Sequence, residues 1–251
     1  MPKHFSIKPQ RGRPWVNPLA REVSQRLLPS DCLMCGMSHS AALCDACMSD
    51  LVGSDTSRCI RCGLKMISSV HTDTLCGACQ SEPPAFDQTI VVADYAPPID
   101  SLVQDLKFRA QLPLASAFGG LLIRAAGSSL QAADVLLPVP LSHERLEQRG
   151  FNQALEIARP LARAWNMPLI LDSCVRTRNT RAQAELPLTQ RRVNMRGAFA
   201  VRDRRVIENQ HVVIVDDVMT TGHTLQELGA CLKRHGAARI SNLVLTRTPT
   251  R

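Results

Sequence analysis

Residues 212–225 read VVIVDDVMTTGHTL, and no other stretch restricts the fold so narrowly. Val212, Val213, Ile214 and Val215 form an unbroken β-branched apolar run, the pattern of a parallel strand covered on both faces. Two carboxylates, Asp216 and Asp217, stop that run. A small, hydroxyl-rich turn follows, made of Thr220, Thr221, Gly222, His223 and Thr224, and then Leu225, Leu228 and Leu232 recur at helical spacing. This order predicts a strand, a turn and a helix start, with polar groups gathered at the carboxyl edge of a sheet, where open α/β folds hold ligands. Backbone N–H groups of such a turn suit a phosphate, aided by the positive end of the next helix dipole and by the threonine hydroxyls. The aspartates would repel that phosphate. Ionised carboxylates only accept hydrogen bonds, so a sugar diol is their natural partner, and Mg²⁺ bridging toward a polyphosphate is a second use. The plainer alternative is an acidic surface connection, but the ordered succession of strand, acids, turn and helix favours a ligand site.

Upstream, eight of the ten cysteines lie between residues 32 and 79 as four Cys-x-x-Cys pairs. They form a repeat: CLMCGM then LCDAC, and CIRCGLKM then LCGAC. Two thiolates separated by two residues can face one ion, and two such knuckles complete a tetrahedral site. Because each repeat unit holds two knuckles, the economical pairing is Cys32, Cys35, Cys44 and Cys47 on one ion and Cys59, Cys62, Cys76 and Cys79 on the other. A cross-braced pairing of alternate knuckles is the other arrangement. Two structural zinc ions fit this pattern better than redox pairs, while an iron–sulfur cluster is harder to separate by spacing. Four thiolates per ion leave no open position, which argues against catalytic zinc and places His39 and His71 outside the ligand sets. So little apolar sequence needs metal binding to fold.

The whole chain has 251 residues, enough for one sizeable domain and a small one. Three units are expected: a basic N-terminal arm with a short helix over residues 1–31, a double zinc ribbon over 32–82, and an α/β domain over 85–251, with Pro83 and Pro84 at the boundary. In the last unit, strand signals at 89–95, 135–139, 169–175, 199–201, 212–215 and 239–245 alternate with helical periodicity at 99–109, 113–126, 151–165 and 225–235. A mostly parallel sheet flanked by helices follows. Pro160 predicts a bend or break in the helix that carries it. A formal charge of +8, mostly arginine, implies acidic partners such as phosphates or nucleic acid. With no apolar run of membrane-spanning length and no leader-like start, a cytoplasmic location is expected.

Residues 212–225 closely resemble the phosphoribosyl-pyrophosphate motif of type I phosphoribosyltransferases. Together with the cysteine repeat and the run Arg149, Gly150, Phe151, Asn152, Gln153, they make the chain similar to the ComF/GntX family over residues 32 to about 247. That resemblance implies a type I phosphoribosyltransferase-like parallel sheet preceded by a double zinc ribbon. It implies that residues 220–224 hold a 5′-phosphate, that Asp216 and Asp217 hold the ribose hydroxyls and carry any catalysis, and that the loop with Ser142, His143, Arg145 and Arg149 holds pyrophosphate with Mg²⁺. Arg176, Arg178, Thr180 and Gln183, followed by Arg191, Arg192 and Asn194, match the family's arginine-rich segment and suit a cover over phosphates. Lys107 sits in a Leu-Lys-Phe run of the same pattern, placed to reach phosphate or to solubilise a helix end. Thr220 stands where some purine-using enzymes carry an aspartate general base, so the resemblance implies binding and leaves turnover open. The implied partners are phosphoribosyl pyrophosphate, single-stranded DNA and competence proteins. The alternative is a zinc-ribbon single-stranded-DNA-binding or adaptor protein whose phosphoribosyl site is not catalytic.

Overall fold

A computed structural model describes residues 30–52, 57–66, 74–177 and 197–249. The arm and short helix expected before residue 30, His71, and the cover residues Arg178, Thr180, Gln183, Arg191, Arg192 and Asn194 lie outside the described residues.

The larger unit is a parallel sheet of four strands in the order β3-β8-β7-β4: β3 (Gln88–Asp94), β4 (Val135–Pro138), β7 (His211–Met219) and β8 (Arg239–Arg247). Two helices, α3 (Ile99–Arg109) and α4 (Pro113–Ala126), connect β3 to β4. After β4 come α5 (His143–Arg149) and α6 (Gln153–Trp165), then an antiparallel pair, β5 (Cys174–Arg176) with β6 (Phe199–Val201). Helix α7 (His223–Arg234) joins β7 to β8. The four residues 212–215 have no exposed surface, and their side chains alternate between two cores. Val213 and Val215 pack with Phe118, Leu121, Ile157 and Leu161 of α4 and α6. Val212 and Ile214 pack with Leu225, Leu228 and Leu232 of α7. An uninterrupted apolar strand is what burial on both faces demands.

Three expectations need correction. The acids do not end their strand: β7 runs on to Met219, because β8 continues opposite it and pairs Thr246 with Val218 and Arg247 with Met219. Pro160 does not break its helix, since α6 is continuous across it. Its ring packs on Gly119 of α4, where an added Cβ would meet Pro160 Cγ at 2.3 Å, so tertiary contact offsets the lost backbone bond. The strand expected over 169–175 is a single bridge from Leu169 to Leu136 followed by the separate β5.

The cysteine repeat adds β1 (Ser30–Asp31) paired with β2 (Ser38–His39), and α1 (Asp45–Leu51) and α2 (Gly77–Ser81), each helix starting directly after the third cysteine of its copy. The repeat is packed on the α/β unit from both sides. Leu43, Cys47 and Leu51 share a core with Phe118 and Leu121, whereas Cys62 lies against the core beneath α7. The second copy also covers the edge of the sheet. Thr89 of β3 donates its amide to the Ile60 carbonyl at 2.9 Å and its hydroxyl to the Arg61 carbonyl at 2.6 Å. Arg58 meets Asp94 at 2.8 Å at the end of the same strand. The Thr89 amide, which an edge strand would leave open to a foreign chain, is thereby occupied.

Candidate functional site

The cysteines form two clusters. Cys32, Cys35, Cys44 and Cys47 bring their sulfur atoms within 4.8 Å of one another, as do Cys59, Cys62, Cys76 and Cys79, which is the sequential pairing. The Cys35 and Cys44 sulfurs are 3.8 Å apart and those of Cys62 and Cys76 3.6 Å. A disulfide needs about 2.05 Å. A thiolate tetrahedron built at the usual Zn–S length of about 2.3 Å has edges of about 3.8 Å. The donor set and its geometry therefore fit structural zinc.

The copies also share a supporting bond: the Cys44 amide donates to the Cys32 sulfur at 3.4 Å and the Cys76 amide to the Cys59 sulfur at 3.3 Å. Burial raises the Cys32 and Cys59 thiols, but surrounding backbone N–H groups outweigh it and hold them at about 6 and about 7. The first ligand of each copy is thus the readiest thiolate. His39 takes no part in either cluster and accepts the Ala41 amide through Nδ1 at 3.1 Å.

The second assembly lies at the carboxyl end of β4 and β7. Asp217 is buried, with Oδ1 accepting the Val218 amide at 2.9 Å and Oδ2 meeting Lys107 Nζ at 2.7 Å. Lys107 comes from the last turn of α3, so this helix delivers a cation across the sheet edge to the acid pair. Asp216 is less buried, and its Oδ1 accepts the Asp217 amide at 2.9 Å. Burial and the charge of Asp217 push the Asp216 carboxyl well above the usual carboxylate range, and Lys107 offsets only part of this. Burial also works on Asp217, but the Lys107 ammonium outweighs it and holds that carboxyl below its ordinary value. The two adjacent acids are therefore unequal: one is an ion-paired anchor, and the other is a strained acceptor.

Arginines gather around them. Burial, together with the neighbouring charge of Arg145, depresses Arg176 to about 10, while Asp216 pulls the other way. Arg149 is lowered by burial first and by Arg145, with Asp217 opposing. Its guanidinium lies 5.6 Å from the centre of the exposed Phe108 ring, a cation–π contact. Like charges held near one another and near two acids suit the binding of an anion.

The expected pyrophosphate loop is shorter than its sequence suggests, because residues 143–149 fold as α5. Ser142 is buried and caps that helix, its hydroxyl accepting the Arg145 amide at 3.4 Å. Asn152 fixes the next turn: its Nδ2 donates to the Val139 carbonyl at 3.0 Å while Oδ1 caps α6 through the Ala154 and Leu155 amides.

Beyond β7, the turn of Thr220, Thr221, Gly222, His223 and Thr224 leads into α7. Gly222 has φ of +82°, so the backbone calls for glycine there, whereas the Met219 methyl that a Cβ would meet can swing aside. Thr221 Oγ1 and His223 Nδ1 are 3.1 Å apart, which orients the first side chains of the helix. The structure thus brings Asp216, Asp217, Arg149 and Arg176 together and sets the turn at residues 220–224 immediately after them. Sequence reasoning missed the Lys107 pair with Asp217. Its only trace was a lysine closing an otherwise apolar helical stripe.

Comparison with known proteins identifies both units of the chain. Residues 23–80 match the double zinc ribbon domain and residues 148–251 the phosphoribosyl transferase domain. The DNA utilization protein YhgH of Escherichia coli strain K12 is 36% identical over 231 residues, covering 88% of this chain and 98% of that one. Competence protein F of Haemophilus influenzae is 29% identical over 83% of this chain and 93% of its own. Competence protein ComFC of Bacillus subtilis is 36% identical over 45% of each chain. No helix among the described residues is long and apolar enough to cross a membrane. With a relative of this identity aligned over nearly its whole length, and with zinc-ribbon and phosphoribosyltransferase modules in the same chain order, the chain belongs to the ComF/GntX family.

Proposed function

We propose that this protein binds phosphoribosyl pyrophosphate with Mg²⁺ and acts in natural competence and DNA uptake, in the cytoplasm. The observation that carries the binding reading is the acid pair at the end of β7, faced by Lys107, Arg149 and Arg176 and followed at once by a glycine-capped turn. In this reading Asp216 accepts from the ribose hydroxyls, and Asp217 fixes Lys107 beside them. The turn of Thr220, Thr221, Gly222, His223 and Thr224 takes the 5′-phosphate, and Arg149, at the close of the helix that Ser142 caps, takes pyrophosphate. Mg²⁺ would screen the pyrophosphate charge. Asp216 and Asp217 would be the residues on which displacement of pyrophosphate at the anomeric carbon depends, but Thr220 supplies no general base, so binding is the activity proposed. The role in competence rests on the relatives' names.

A second reading is favoured by the charge of +8 and by those same names: a single-stranded-DNA-binding or adaptor protein, working with competence proteins, in which the phosphoribosyl site is a sensor. Titration calorimetry with phosphoribosyl pyrophosphate and Mg²⁺ tests the first. Binding should be abolished by Asp216→Asn and weakened at least tenfold by Arg149→Ala, and unchanged affinity in both variants would sink the assignment. Salt-dependent capture of single-stranded DNA, with no pyrophosphate released across a screen of nucleobases, would favour the second.

A further inference from the structure

Arg247, at the end of β8, is only 6% exposed. Its Nη1 donates to the Thr220 carbonyl at 3.0 Å, and its Nε has no hydrogen-bond partner among the described residues. A buried guanidinium needs a nearby anion. The Arg247 stem lies against the second cysteine copy, where a Cβ at Gly63, the residue after Cys62, would stand 3.7 Å from Arg247 Cδ. Asp94, its partner in the β3–β8 register, is already engaged by Arg58 and Lys65. One cleft of about 410 Å³ is lined by Cys62, Cys76, Arg247, Thr221, Gly222 and His223, so the metal cluster and the turn are two walls of one space. The turn is tied to β8 once more by the Thr248 amide, which donates to the Met219 carbonyl at 3.0 Å.

We propose that Arg247 is a positioning residue that couples the second cysteine cluster to the turn at residues 220–224, so that metal at Cys59, Cys62, Cys76 and Cys79 sets the turn's shape and thereby its affinity for a phosphate ester. The side chain has two contacts, the Gly63 knuckle along its stem and the Thr220 carbonyl at its tip. Without metal the knuckle that packs on the Arg247 stem is no longer held, and the Thr220 carbonyl loses a fixed donor. The first cluster packs against α4 instead, so its metal has no such lever. Coupling of this kind is reciprocal, and a ligand that orders the turn slows metal loss from the second cluster. The effect on affinity rests on the phosphate reading of the turn, whereas the effect on the turn's shape does not.

The test is amide hydrogen exchange on the full-length zinc-loaded protein, without ligand, comparing wild type with Arg247→Lys, Arg247→Gln, Cys62→Ser and Cys35→Ser. Arg247→Lys retains the charge and most of the stem but loses the Nη1 donor to the Thr220 carbonyl, and it decides the matter if the glutamine variant does not fold. Expected is an increase in exchange of at least tenfold at residues 220–224 in Arg247→Lys and Cys62→Ser, with two zinc ions still bound in Arg247→Lys. Cys35→Ser should raise exchange in residues 32–51 and leave residues 220–224 within twofold of wild type. Unchanged exchange of the turn in Arg247→Lys, or an equal rise throughout β7 and β8, would overturn the proposal, since the latter is general destabilisation. In a second measurement, phosphoribosyl pyrophosphate with Mg²⁺ should slow zinc transfer to a chelator from the second cluster of wild type and not of Arg247→Lys. If wild type binds no phosphoribosyl pyrophosphate while the exchange differences persist, the ligand reading falls and the coupling stands.

Discussion

The two copies of the cysteine repeat provide a matched pair of substitutions, Gly36→Ala and Gly63→Ala. Each glycine follows the second ligand of its copy, and their φ angles are +71° and +68°, so an alanine pays the same left-handed penalty at both, roughly 1 kcal/mol. Their surroundings differ. Nothing lies within 4 Å of a Cβ at Gly36, whereas one at Gly63 would lie 2.4 Å from Val91 Cγ2 and 3.3 Å from Thr89 Cγ2. Carbon atoms settle at about 3.5–4.0 Å, so the knuckle and β3 must separate by about 1 Å. Val91 cannot turn aside cheaply, because it is β-branched and pairs with Val244 of β8. Overpacking of this kind adds roughly 1–3 kcal/mol. Gly36→Ala should therefore cost about 1 kcal/mol and Gly63→Ala about 2–4 kcal/mol in denaturant unfolding of the zinc-loaded protein. Adding Val91→Ala to Gly63→Ala should return part of the difference, a coupling that a double-mutant cycle reads directly. Equal costs at the two glycines, or no recovery in the double variant, would refute the docking of the second copy on β3.

Asp216→Asn removes a carboxyl whose ionisation the folded state opposes. A group with a raised folded pKa costs stability as the pH climbs from its unfolded value to its folded one, so the substitution should stabilise the ligand-free protein by about 1 kcal/mol at pH 7–8. The gain should vanish below about pH 4, where the acid is protonated in both states, and thermal melts across that range check it. Lys107→Met acts in the opposite direction. It leaves Asp217 buried without its cation and should cost roughly 3 kcal/mol at neutral pH; the loss should shrink as the pH falls and Asp217 takes up a proton. Asn152→Ala removes a cap and the bond to the Val139 carbonyl together, for a loss of about 2 kcal/mol in chemical denaturation, with zinc content unchanged.

What the sequence disclosed and what it withheld divide along chain distance. Cysteines a few residues apart announce their metal, and β-branched residues 212–215 announce a strand buried on both faces, because each signal is local. The meeting of Lys107 with Asp217 has no local signal, since it depends on where α3 ends relative to β7. The strand's extension past the acids was hidden for a similar reason: the partner that prolongs it, residues 246–247, comes after an entire helix. Pro160 misled because its local effect was overridden by a contact with α4. Asn152 was legible as a polar residue at a helix start and Ser142 only as a member of a polar loop, and whether they cap or bind was set by burial, which patterning does not reveal.

The covering of β3 by the second cysteine copy also bears on the order in which the chain is made. β3 ends at Asp94, and its one neighbour in the sheet among the described residues, β8, begins at Arg239. At a synthesis rate of about 5–20 residues per second, the strand waits roughly ten seconds or more for that neighbour. The zinc ribbon, by contrast, precedes β3 on the ribosome and can be metal-loaded before the strand emerges. It is then an advance lodging for a strand whose own sheet does not yet exist. Stalled chains ending before residue 239 should accordingly remain soluble when translated with zinc and aggregate when translated with a chelator, and equal solubility in both would show that the ribbon arrives too late to matter.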